Sequence, residues 1–260
     1  MRSATREALG ALTTATQASS GVGVSDAREL LQAARAIERS PQLLAALVDT
    51  NGSGDDRAAL LRSVFAQLGP EAQRLLVVAA SQRWSSGRDL LEGLEDAGIR
   101  IAAGATDADV ASEIHAFGEI VEHDADLELA LGGLLGESGD KAQVVERLLA
   151  GKVSDATLVI LDHLVRSPRG RRIGALLRQA ADIVADAAGS GIATVTTAVA
   201  LPEAQLRRLE AGLAQRYGRR LQVQQVIDPQ IIGGLRVAVA DDVIDGTIRS
   251  KFTDLRLRLA

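Results

Sequence analysis

Residues 110–180 overlay residues 26–97 at an offset of about 84, and this internal repeat constrains the fold more than any other feature. Glu38 aligns with Glu122, Leu43 with Leu127, Leu47 with Leu131, Leu61 with Val145 and Phe65 with Leu149. Periodicity alone would align apolar helix positions, but it does not demand matching loops. Here Asp56-Arg57 matches Asp140-Lys141 across a glycine-containing loop, and Arg83 and Gly87-Arg88 match Arg166 and Gly170-Arg171 after a one-residue slip. A duplicated helical stretch implies two bundles of similar fold in series.

Helix signals fill both copies. Residues 5–18 place Ala8, Leu9, Leu12 and Ala15 on one face at three-to-four spacing. Ser25-Asp26 reads as the cap of a second helix, with Glu29 in capping-box position and Leu30, Leu31, Ala34 and Ile37 inward. Pro41 opens a short helix, Asp55 a fourth, and Pro70 sits in the first turn of a fifth that is apolar almost all round in its second half. A sixth is expected over 88–97, stopping at Gly98. The second copy ends in a long helix over 171–188. A β-branched strand over 192–199, a helix over 203–217 and further strands then follow. The expected fold class is mainly α with a C-terminal α+β domain: bundles over 1–104 and 105–189, then a small sheet with helices over 190–260.

Aromatic residues make up 2% of the chain, which favours closely packed helices rich in Ala, Leu and Val. With no cysteine, disulfides and thiolate metal sites are excluded. No run approaches ~18 consecutive apolar residues, so no spanning helix is expected. The net charge of -5 conceals an asymmetry: residues 201–260 carry 10 Lys+Arg against 7 Asp+Glu, leaving 19 against 27 for residues 1–200. Two partner surfaces of opposite sign would give this pattern.

Chemical motifs are lacking. Gly151-Lys152 is followed by Val153 rather than Ser or Thr, and the glycine that a phosphate loop needs five positions earlier is Glu146. His115, His123 and His163 lie far apart, and His123 with Asp124 and Asp126 has no second cluster to complete a metal sphere. No cofactor, metal or catalytic residue is expected. The basic clusters at 166–172 and 216–220 suit helix ends better than nucleic acid, because the chain is acidic and its strands lack aromatics for stacking. An RNA-binding protein resembling helical antitermination factors is the alternative reading, and a strongly basic face would mark it.

The last stretch is the most specific. Asp228-Pro229, Ile231-Ile232-Gly233-Gly234, a strand over 235–240, and Val243-Ile244-Asp245-Gly246-Thr247-Ile248-Arg249 describe a strand, a glycine-opened hairpin and a closing basic amphipathic helix. This wording resembles the carboxy-terminal signature of the delta subunit family of bacterial F-type ATP synthases, relatives of the mitochondrial oligomycin-sensitivity-conferring protein. The resemblance is to the long actinobacterial form, with the second bundle inserted before the α/β domain.

The resemblance implies a non-catalytic stator subunit of the peripheral stalk, on the cytoplasmic face of the bacterial membrane and attached through partner subunits. In the family, an amino-terminal bundle grips the amino-terminal helix of an alpha subunit on the catalytic head. The carboxy-terminal domain holds the b-subunit stalk helices. On this chain the expected alpha-subunit groove comprises Leu9, Leu12, Leu75, Leu76 and Ala79. The expected stalk contact comprises Ile231, Ile232, Val243, Arg249 and Arg256. A stator needs stiffness and interfaces rather than chemistry, and close-packed bundles with helix-accepting grooves supply both.

Overall fold

The computed structural model describes residues 3–19, 21–132, 138–188, 190–217, 220–239 and 242–246. They fall into two compact units, residues 1–184 and 185–260. The chain is mainly helical with a C-terminal α+β unit.

In the first unit, α1 (Ser3–Gln17), α2 (Val24–Glu38), α3 (Pro41–Val48), α4 (Gly54–Val64), α5 (Pro70–Ser81) and α6 (Gly87–Gly104) form one bundle. A second run follows: α7 (Val110–His123), α8 (Ala125–Gly132), α9 (Ser138–Leu149), α10 (Asp155–Arg166) and α11 (Ile173–Ala187). The helices of the two runs correspond in order, and several of their contacts do too. α2 packs on α3 and α5 as α7 packs on α8 and α10; α4 packs on α5 as α9 on α10; α1 packs on α5 as α6 on α10. Paired positions share burial too: Leu61 with Val145, Leu47 with Leu131, and Phe65 with Leu149 all lie in the core.

One polar contact is repeated in both bundles. Glu29 on α2 accepts a hydrogen bond from the N–H of Gly69, the N-cap residue of α5, at 2.6 Å. Its counterpart Glu113 on α7 accepts from the N–H of Ser154, the N-cap residue of α10, at 3.0 Å. Each carboxylate satisfies a backbone donor at the start of α5 or α10, where negative charge also complements the helix dipole. Glu29 therefore does not cap its own helix, as its spacing from Asp26 suggests. α2 starts two residues earlier than Asp26, and the Asp26 carboxylate takes the capping role by accepting from the Gly23 N–H at 2.9 Å.

The sixth helix also departs from expectation, running on through Gly98 to Gly104. Gly98 does not act as a stop; it allows α2 to approach. A Cβ built on it would lie 2.4 Å from Leu31 Cδ2. Gly93, one turn earlier, lies equally close beneath Trp84, whose indole N–H donates to the Ala79 carbonyl at 2.7 Å. The prolongation lets α6 serve both bundles, packing on α1 and α2 and also on α10.

Arg57 shows how a loop is held. Its guanidinium is buried and donates to four carbonyls: Ala80 at 2.9 Å, Asp49 at 3.1 Å, Gly52 at 2.8 Å and Gln82 at 3.2 Å. It ties the end of α5 to the loop before α4, using the fixed fork of five donors that arginine alone offers.

In the second unit, β1 (Ser190–Thr197) and β2 (Arg220–Ile227) are parallel and joined through α12 (Glu203–Tyr217). β3 (Leu235–Val239) pairs antiparallel with β1, and β4 (Asp242–Asp245) antiparallel with β3, giving the order β2-β1-β3-β4. Ala193, Val195, Leu221, Val237 and Val239 line one face, against Leu213 of α12. The expected closing helix lies outside the described residues.

Candidate functional site

A buried polar cluster joins the two bundles, and its centre is Glu95 on α6, 2% exposed. Arg171 grips this carboxylate bidentately, Nη1 to Oε1 at 2.8 Å and Nη2 to Oε2 at 2.9 Å. Arg169 Nη2 also donates to Oε2, and His163 on α10 lies 3.1 Å away through Nε2. The other ring nitrogen, Nδ1, is 3.2 Å from Arg35 Nη1 on α2. A guanidinium can only donate, so His163 Nδ1 accepts and its proton sits on Nε2, aimed at Glu95. The ring is therefore neutral. Burial drives the His163 pKa below its ordinary value, outweighing the upward pull of Glu95.

Burial alone would raise the Glu95 pKa. The hydrogen bonds from His163 and Arg171, with the charge of Arg169, overcome it and hold the carboxyl down to about 2. Around this centre Arg35 pairs with Asp162 at 3.4 Å, and the Ser167 hydroxyl donates to Glu38 at the end of α2. The turn carrying the two arginines is bent to bring them in. Arg169 adopts φ +48, an unfavourable value for a side chain with a Cβ, followed by Gly170 at φ +73.

Chemically the cluster is closed. Glu95 is committed as a carboxylate, both nitrogens of His163 are engaged, and no group is left to exchange a proton with a substrate. What the arrangement can do is bind α2 and α6 of the first bundle to α10 and the α10–α11 turn of the second. Sequence reading treated His163 and the 166–172 arginines as separate features. The visible signal was the matched Gly170-Arg171, but the acidic partner of Arg171 lies 76 residues earlier, in a helix expected to end near Gly98.

The residues expected to form a head-binding groove lie on α1 and α5 as anticipated, but mostly beneath the surface. Leu12, Leu75, Leu76 and Ala79 are at most 1% exposed and form the core of the bundle itself; only Leu9 is half-buried. The 3.6-residue period turns these side chains inward, so the accessible face of α5 is carried by Arg74, Val77 and Val78. Of the expected stalk residues, Ile232 is 75% exposed, Val243 is exposed and Ile231 half-buried, while Arg249 and Arg256 lie outside the described residues. Two further exposed apolar residues, Ile227 at the carboxyl end of β2 and Val199 just past that of the parallel strand β1, lie where Asp228 N–H bonds to Thr197 O at 2.8 Å.

Among the described residues no helix is long and apolar enough to cross a membrane, and no group of three or more His, Cys, Asp or Glu could hold a metal ion.

Comparison with known proteins gives a consistent picture. ATP synthase subunit delta of Leifsonia xyli is 45% identical over 266 aligned positions, covering 100% of both chains. The subunits of that name from Streptomyces avermitilis and Thermobifida fusca are 34% and 35% identical, covering 99% and 89% of this chain and 95% and 88% of theirs. Among solved structures, a chain of the Toxoplasma gondii mitochondrial ATP synthase hexamer aligns with a TM-score of 0.43 at 16% identity, over 65% of this chain and 96% of that one. The profile of the family described as ATP synthase delta (OSCP) subunit matches residues 96–259, from the second half of α6 to the end of the chain. The chain belongs to the ATP synthase delta (OSCP) subunit family.

Proposed function

We propose that this chain is the stator link of a proton-translocating ATP synthase. In this role it is a non-catalytic subunit that binds the amino-terminal helix of an alpha subunit through its first bundle and the b-subunit stalk helices through its α+β unit. It works at the cytoplasmic face of the membrane, which it reaches only through its partners.

One observation carries the head contact. Several packing contacts of the first bundle have counterparts in the second, and one contact of the second has none in the first. In the second bundle α2 lies against α10 and α6; in the first, no helix among the described residues lies against α5 and α1 in the corresponding way. With α10 set on α5 from their N-cap residues Ser154 and Gly69, the buried stripe Ala156, Val159 and His163 of α10 corresponds to Glu71, Arg74 and Val78 of α5, all half-buried or exposed. A helix recognition face filled within the chain in one copy is thus open in the other. A partner helix supplying i, i+3, i+4 anchors would complete it. This also reconciles the family match beginning in α6 with a head contact on the first bundle, since the corresponding face of the second is already covered.

The buried cluster supports the mechanical side of the reading. Torque on the catalytic head must pass through this chain without the bundles shearing past one another, and Glu95 with its arginines fixes them as one body. Val199, Ile227 and Ile232 supply an apolar end of the sheet for the stalk.

The test uses Val78→Lys, because Val78 is half-buried and lies outside the buried core of α5. A fluorescent peptide of the alpha-subunit amino terminus should bind the native chain and lose at least tenfold in affinity to the variant, with unchanged circular dichroism. Equal binding to both would remove the head contact from this face.

A further inference from the structure

A cleft of about 620 Å³ is lined by α2 of the first bundle with its C-cap residue Arg39, and by α9 and α10 of the second. Its lining follows helical stripes. α2 contributes one long edge running from Arg28 to Arg39, a length of about 16 Å at 1.5 Å per residue. Ala36, Leu158 and Val159 give it apolar lining, while the rims are charged: basic on α2, and acidic on α9 and α10, where the one basic residue, Arg166, is paired with Asp162 at 2.6 Å. Arg28 and Arg39 stand on the α2 rim, and Glu146 and Asp155 on the α9–α10 rim. At one point the rims are already bridged, by Arg35 and Asp162. Arg28, Arg39, Glu146 and Asp155 have no side-chain partner among the described residues.

Opposite charges arrayed along two facing rims would attract each other across a closed interface. Here they flank an open groove with apolar lining. The geometry points to a docking site for one amphipathic helix of a partner protein: about three turns long, small apolar residues on its inner stripe, acidic residues along one edge and basic residues along the other. The acidic edge meets Arg28 and Arg39, and the basic edge meets Glu146 and Asp155. Reversing the helix end for end exchanges its edges, so a given partner fits in one direction only. This site is separate from the α1/α5 face and does not depend on it. Rim charges of this kind set orientation and selectivity more than affinity, and salt weakens them.

The probe is a stapled peptide of about four turns, with Ala and Leu on one stripe, Glu on one edge and Lys on the other, titrated into the full chain by fluorescence anisotropy. Binding should weaken about tenfold in Arg28→Glu/Arg39→Glu and similarly in Glu146→Lys/Asp155→Lys. It should return in the variant carrying all four changes, where the same peptide lies in the opposite direction. A peptide with Gln on both edges should bind weakly and alike to all four proteins. All four positions lie on the rims, so circular dichroism should be unchanged throughout. Equal affinity for every variant, or no recovery in the fourfold one, would overturn the proposal. So would a native chain that dimerises in sedimentation velocity and becomes monomeric in Arg28→Glu/Arg39→Glu, which would give the cleft to a second copy of the chain.

Discussion

Replacing Glu95 by Gln keeps the shape of the side chain and removes its charge, so it isolates what the carboxylate does. In the native chain this group is 2% exposed, accepts from Arg171 at 2.8 and 2.9 Å and from His163 at 3.1 Å, and also contacts Arg169. Its pKa of about 2, against an ordinary 4.5, corresponds to roughly 3 kcal/mol of preferential stabilisation of the ionised form. Breaking a buried pair by removing one partner costs about 3–5 kcal/mol, because the other charge is left uncompensated. Two arginines are stranded here, so a loss of about 3 kcal/mol or more is expected. Urea unfolding followed by circular dichroism measures it. Because the cluster joins the bundles, the variant should also unfold in two resolved steps where the native unit unfolds in one. A loss under about 1 kcal/mol with a single unchanged transition would refute the view that Glu95 couples the bundles.

Stability of the helical unit should fall as the pH drops. The native His163 pKa lies below its unfolded value, so protonation favours the unfolded chain and stability declines as pH falls below about 6.5. Glu95 has a depressed pKa, so its contribution is present above pH 4.5 and is lost towards pH 2; both effects have the same sign, and urea midpoints across this range should show no rise on acidification. Gly98→Ala places a methyl group 2.4 Å from Leu31 Cδ2, and the overpacking should cost about 1–3 kcal/mol by thermal unfolding, partly recovered with Leu31→Ala. Arg57→Met removes a donor to four backbone carbonyls and should destabilise by about 2–4 kcal/mol, with proteolysis by thermolysin first appearing in the 49–53 loop.

Much of the fold was legible because it rests on local signals. Pro41 and Pro70 mark helix starts that the structure places at those residues, and the start expected at Asp55 falls one residue earlier, at Gly54. The helix over 203–217 and the strand ending at Ile227 follow the apolar spacing closely. Gly98 misled because a glycine has two uses: it can end a helix, or it can let another helix approach, and only the position of Leu31 decides between them. Glu29 misled for a similar reason, since its spacing from Asp26 fits a local cap while its real partner, Gly69, is 40 residues away.

The candidate site was less legible than the fold. Periodicity separates the apolar side of a helix from the polar side, and on α5 it pointed to Leu75, Leu76 and Ala79, which serve the bundle's own core. A partner surface is built from residues that the core leaves over, such as Val78, and these are recognisable only once the covering helices are placed. The Glu95 cluster was invisible for the same reason. No spacing rule connects a carboxylate on α6 with an arginine pair 74 and 76 residues later.

The most direct test of the stator reading is sedimentation velocity of the purified full chain mixed with the isolated catalytic head of the same ATP synthase. A stable one-to-one complex is expected, and it should be lost with Val78→Lys. Native chain and head sedimenting as independent species would contradict the assignment of this protein as the link between head and stalk.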